Sequence, residues 1–131
     1  MRILAAAIGF SILSQTAAAA DCADQTQHGL DMCAKAEFDR ADRALNDAYR
    51  EIMRRLGDDL HAKTLLVAAQ KAWIGFRDAE CAFAVSSTEG GTIYPMEFTL
   101  CEQDLTEKRT KALKAYLHCE EGDLSCPVHG P

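Results

Sequence analysis

The chain has 131 residues, of which 48% are hydrophobic, and carries 14 Lys and Arg against 20 Asp and Glu for a formal charge of −6. An acidic balance of this size argues against nucleic acid or anionic lipid as a partner and favours electrostatic steering toward a basic protein. The length allows one domain with one core and excludes two.

Residues 1–20, MRILAAAIGFSILSQTAAAA, place Arg2 before an apolar stretch from Ile3 to Leu13 and end in small residues. This pattern predicts a secretory signal peptide cleaved after Ala20. The apolar run is too short to cross a bilayer. Cys22 follows Asp21 rather than a small residue, so the expected product is a soluble exported chain, 21–131, rather than a lipoprotein or a membrane-anchored protein. Loss of Arg2 leaves 13 basic against 20 acidic residues, about −7.

From Thr26 to Leu56, apolar residues recur at Leu30, Ala34, Phe38, Ala41, Leu45, Ala48, Ile52 and Leu56. Steps of three and four predict an amphipathic helix, stopped by Gly57. A second helix is expected from a cap at Asp58 or Asp59 to about Ser86, with Leu65, Leu66, Ala69, Trp73, Phe76 and Phe83 as its apolar positions. The segment from Ser86 to Tyr94 is rich in turn-forming residues, and Pro95 then opens a third helix that runs to about Cys119. Residues 120–131 hold two glycines and two prolines and should be irregular. Three helices with one apolar face each close a core as an all-α, antiparallel three-helix bundle.

All six cysteines follow the expected cleavage point, and an even count in a short exported chain predicts three disulfides. Counting along the helices places Cys33, Cys81 and Cys101 near one end of the bundle. Cys119 then lies about 27 Å away along the third helix, at about 1.5 Å per residue. A disulfide requires Cα atoms within about 7 Å, so Cys119 reaches only Cys126. Of the three connectivities that remain, local loop closure selects Cys22 with Cys33 and Cys81 with Cys101. The first of these folds the chain back along the first helix, which therefore starts no earlier than about Thr26. Each bridge is expected to stabilise the fold by about 3 kcal/mol.

The same counting sets Asp42 level with Arg109, Asp39 with Arg77, and Asn46 with Gln70. Gln70, Trp73, Arg77 and Cys81 share one stripe of the second helix, so these polar heads are expected to point inward, where a charge needs a partner. The expected pairs are Asp42–Arg109 and Asp39–Arg77, with Asn46, Gln70 and Tyr49 adding hydrogen bonds. Such a network reads as structural rather than catalytic. No G-x-S-x-G, P-loop or dinucleotide fingerprint is present, and an even cysteine count leaves no free thiol nucleophile. The expectation is a protein that is not an enzyme and binds no cofactor. The run His118-Cys119 to Cys126-Pro-Val-His129 has the composition of a zinc site, but in an exported chain the disulfide reading takes precedence over metal.

The residues that recur through these patterns are Cys33-Ala34, Ala41-Asp42 to Leu45-Asn46 and Tyr49, the block Gln70-Lys-Ala-Trp73-Ile74-Gly-Phe76-Arg77-Asp78-Ala-Glu-Cys81, Gly90-Gly91, Cys101, and Thr106-Glu-Lys-Arg109. With them the chain resembles the lysozyme inhibitor LprI-like N-terminal domain family, small exported bacterial helical proteins. The resemblance implies one LprI-like helical domain over 21–131 that works in the periplasm or outside the cell as a binding or inhibitory protein, with lysozyme as the candidate partner. Cys119, Cys126 and the tail around them lie outside the matching pattern.

An inhibitor of a basic glycosidase has to occupy a cleft that holds two carboxyl groups. The candidate segment is the loop 87–94, its stems clamped by Cys81–Cys101: Gly90 and Gly91 for close backbone approach, Ser87, Thr92 and Tyr94 as hydroxyl and aromatic contacts, and Glu89, with Glu97 nearby, facing basic groups at the rim. The alternative is an envelope structural or assembly factor that binds another protein through a helix face. An exposed apolar patch on the bundle would favour it.

Overall fold

The computed structural model describes residues 22–120 and 122–128; the expected signal peptide lies outside the described residues. Three helices follow in order, α1 (Gln27–Arg55), α2 (Leu60–Ala84) and α3 (Tyr94–Tyr116), with a 3-10 turn at Ser86–Thr88 between α2 and α3. Among the described residues there is no strand, and no helix is long and apolar enough to cross a membrane.

Each boundary has a local cause. Thr26 caps α1 by accepting a hydrogen bond from the Gly29 amide, and Asp59 caps α2 in the same way from Ala62. The break between them falls at Gly57, whose φ of 52° lies in the left-handed region open to glycine. Pro95 sits in the first turn of α3, where its missing N–H costs nothing. Compared with the sequence expectation, α3 starts one residue earlier and ends three residues earlier, because Leu117 already closes its last turn. The sequence reading also carried α2 to Ser86, but the chain tightens into the 3-10 turn there.

The cysteines join as Cys22–Cys33, Cys81–Cys101 and Cys119–Cys126, with Cα separations of 5.3, 5.6 and 5.9 Å, the pairs that helix counting selects. The first bridge lays residues 22–25 along the opening turns of α1. A Cβ on Gly29 would come within 2.6 Å of Asp24 backbone, so only glycine admits that approach.

α1 and α3 run parallel and form the main contact of the fold, while α2 docks more thinly on α3 and barely touches α1. The α1 side of the seam is narrow, with Ala34, Ala41 and Ala48 at seven-residue intervals, and α3 answers with Thr106, Thr110 and Leu113. The core gathers at the C-terminal ends of these two helices, where Leu45, Ala48, Ile52, Leu113 and Val128 meet. Arg55 fastens that end by donating from Nη1 to the Leu117 carbonyl at 3.0 Å. The described part of the tail is irregular, yet it buries Cys126 and Val128, so it is a plug for the core rather than an appendage.

Candidate functional site

Two features sit where a partner can reach them, the α2–α3 connector and an open cleft between α1 and α2. The connector begins at Val85, which is buried and whose amide reaches the Cys81 carbonyl at 3.1 Å. Successive turns then order it. Thr88 Oγ1 donates to the Val85 carbonyl at 2.8 Å, the Gly91 amide to Thr88 at 2.9 Å, and the Tyr94 amide to Gly91 at 3.3 Å. Gly90 has a φ of 78°, a conformation L side chains rarely adopt. Cys81–Cys101 ties the two stems together, so the connector is a short, internally bonded arch at one tip of the bundle.

Ser87, Glu89, Gly90, Gly91 and Thr92 are exposed on this arch. Tyr94 is placed differently from a projecting anchor. It forms the first residue of α3 and is half-buried, with its ring 5.9 Å from that of Phe98. The apolar side chain exposed beside the tip is Ile93, which the sequence reading did not single out.

The cleft has a volume of about 380 Å³ and is lined by Phe38, Asp42, Asn46 and Tyr49 of α1 and by Gln70 and Arg77 of α2. The polar stripes meant to form one buried network therefore face each other across an opening. The ion pairs expected from layer counting are replaced. Asp39 takes Lys35, one turn earlier on its own helix, at 3.0 Å, and Asp42 accepts from Asn46 Nδ2 at 2.9 Å. Arg109 Nε donates to Gln70 Oε1 at 2.7 Å. Arg77 pairs with Asp78 at 2.7 Å and with Glu102 at 3.4 Å. The reason is geometric: α2 leans on α3, so its inward groups find α3 partners and the α1 carboxylates fall back on their own helix.

Arg77 is the organising residue of this region. Its guanidinium carbon lies 5.4 Å from the ring centroids of both Phe38 and Trp73, spanning the gap between α1 and α2 at the point nearest Cys81. Burial pushes the Glu102 carboxyl above its ordinary range, the Arg77 charge opposes that shift, and Asp78 adds to it.

Among the described residues no three His, Cys, Asp or Glu side chains lie close enough to hold a metal, and no cysteine is free. His129 of the possible zinc run lies outside the described residues. The surface presents an internally hydrogen-bonded polar arch and a cleft of mixed polarity.

Comparison with known proteins adds a family. A family model described as lysozyme inhibitor LprI matches residues 17–113. An uncharacterized protein of Rhizobium meliloti (strain 1021) is 36% identical over 107 residues, which cover 73% of this chain and 77% of that protein. The uncharacterized protein YecT of Escherichia coli (strain K12) is 28% identical over 102 residues, covering 68% of this chain and 63% of YecT. No solved structure matches.

Proposed function

The chain belongs to the lysozyme inhibitor LprI family, and from that premise we propose that it acts in the periplasm or outside the cell as an inhibitor-like protein that binds a secreted basic enzyme. Three disulfides suit an oxidising compartment. The observation that carries the mode of binding is the arch 85–94, ordered by its own hydrogen bonds and clamped at Cys81–Cys101. An element already held in one conformation loses little entropy when a partner closes on it. Ser87, Glu89, Gly90, Gly91 and Thr92 supply its exposed contacts, Tyr94 supports it from behind through Phe98, and Ile93 adds an apolar tip.

In this reading the arch enters the substrate cleft of the target, and the acidic surface, of formal charge about −7 once Arg2 is lost, raises the association rate. The test is a lysozyme activity assay with the oxidised exported chain. Inhibition should weaken at least tenfold when Gly90 and Gly91 are deleted or Ile93 is replaced by Asp, with helicity unchanged by circular dichroism. Inhibition that survives both changes would retire the arch. A second reading, a protein that binds a partner of the envelope through a helix face, draws on one observation, the apolar outer side of α2. Capture from envelope extract with and without Phe83→Asp would test it.

A further inference from the structure

The inner side of α2 is defined by Gln70, Trp73, Arg77 and Cys81, which meet α1 and α3. The outer side consists of Leu65, Ala69, Ala72, Phe76, Ala79 and Phe83, separated by four, three, four, three and four residues. At about 100° per residue these six fall along one stripe, bordered by Ala68 and Gly75 on one side and by Glu80 on the other. Every one of them is exposed, with Leu65, Phe76 and Phe83 at 57%, 56% and 77%. A heptad-like apolar seam of this length on the surface of an otherwise charged chain is a packing face without its partner.

We propose that this face pairs with the same face of a second copy, with the two α2 helices antiparallel about a two-fold axis near Ile74. The seam is self-complementary in that register. Ala72 meets the partner's Phe76 and the reverse, Leu65 meets the partner's Phe83, and Ala69 meets the partner's Ala79, so Phe76 faces a small side chain while Leu65 and Phe83 face each other. Leu65 and Phe83 close the two ends.

A parallel pairing would instead set Phe76 on Phe76 and Phe83 on Phe83, with no small residue opposite either ring.

The area suffices for a weak specific dimer. Phe76 and Phe83 alone leave about 250 Å² uncovered per copy. With Leu65, the small residues and the flanking stems, the seam offers on the order of 600 Å² per copy, the lower edge of specific interfaces. The expected dissociation constant is therefore on the order of 1–100 μM.

Sedimentation equilibrium of the oxidised exported chain should show a monomer–dimer equilibrium in that range. Phe76→Glu and Ala72→Glu should each shift it to monomer by at least tenfold without loss of helicity, because both positions face solvent in the single chain. A chain monomeric at about 1 mM overturns the proposal. So does a dimer indifferent to Phe76→Glu, and so does loss of a heterologous partner by Phe76→Glu in a chain that never self-associates. The arch variants of the preceding section should dimerise normally, which separates this proposal from the inhibitory one.

Discussion

Arg77 makes four contacts of two kinds at once, with the faces of Phe38 and Trp73 and with the carboxylates of Asp78 and Glu102. Glu102 is largely enclosed, and its folded-state pKa stands above the ordinary value because burial disfavours its charge. A carboxyl raised on folding favours the folded state at low pH and loses that advantage as pH rises through its folded value. Arg77→Met removes the opposing charge, so its deficit should grow with pH. Urea unfolding should show a loss of about 2 kcal/mol at pH 7, moderated by the solvent that still reaches Glu102, and a smaller loss near pH 4. Adding Glu102→Gln should recover part of the neutral-pH loss. Glu51 works in the opposite sense. Hydrogen bonds from Arg54 and Arg55 hold it at about 2, so its contribution is present above the unfolded value and disappears as pH falls toward 2. Thr106 gives a third test: its hydroxyl is fully buried without a hydrogen-bond partner among the described residues, so Thr106→Val should stabilise the fold by about 1 kcal/mol in the same unfolding assay. At this scale the sequence showed which polar residues share a stripe but not whom they meet. Layer counting yields height along the bundle and says nothing about rotation, so Asp42 and Arg109 were matched by level while the actual partner of Arg109, Gln70, sits on α2.

At the scale of the helices, the alanine ladder on α1 decides how the bundle closes. Ala34, Ala41 and Ala48 let α3 approach closely, and Thr106, Thr110 and Leu113 fill the gap they leave. Ala48→Leu would force that seam apart and should cost about 1–3 kcal/mol in denaturant unfolding, whereas Ala72→Leu on the exposed side of α2 should be neutral or better. α2 has fewer neighbours than α1 or α3, so its amides should exchange with deuterium sooner than those of α1 and α3, with protection recovering toward Cys81 where the disulfide binds it. The helices, their caps and the fold-back at Cys22 were legible because period, capping chemistry and glycine act locally. The rotation of α2 was not. Leu65, Ala69, Phe76 and Phe83 have the spacing of a core stripe and lie outside instead, because Cys81–Cys101 and the Arg77 contacts turn the opposite side of the helix toward α3. The burial of Val128 had no periodic signal at all, since a single residue in an irregular tail carries none.

For the whole molecule the question is which disulfide serves folding and which serves binding, and stability alone cannot separate them. The bridges close separations of 11, 20 and 7 residues. Because loop entropy grows only with the logarithm of length, removing any one of them should cost a similar 2–3 kcal/mol or so. Position separates them. Cys119–Cys126 holds the Val128 plug against Ile52 and Leu113 at the end of the bundle remote from the arch, while Cys81–Cys101 clamps the arch itself. Paired serine replacement at Cys119 and Cys126 should therefore lower the unfolding midpoint and leave binding to the target intact well below that midpoint. Paired replacement at Cys81 and Cys101 should lower the midpoint by a comparable amount and also weaken binding, because the freed stems must then be ordered at the moment of association. Calorimetric titration of both variants against the same target enzyme resolves the two cases: the second should lose affinity mainly through a less favourable entropy. Equal affinities for the two variants would mean that the arch owes its shape to the hydrogen bonds at Thr88 and Gly91 alone, and that the clamp stabilises the bundle without preparing it to bind.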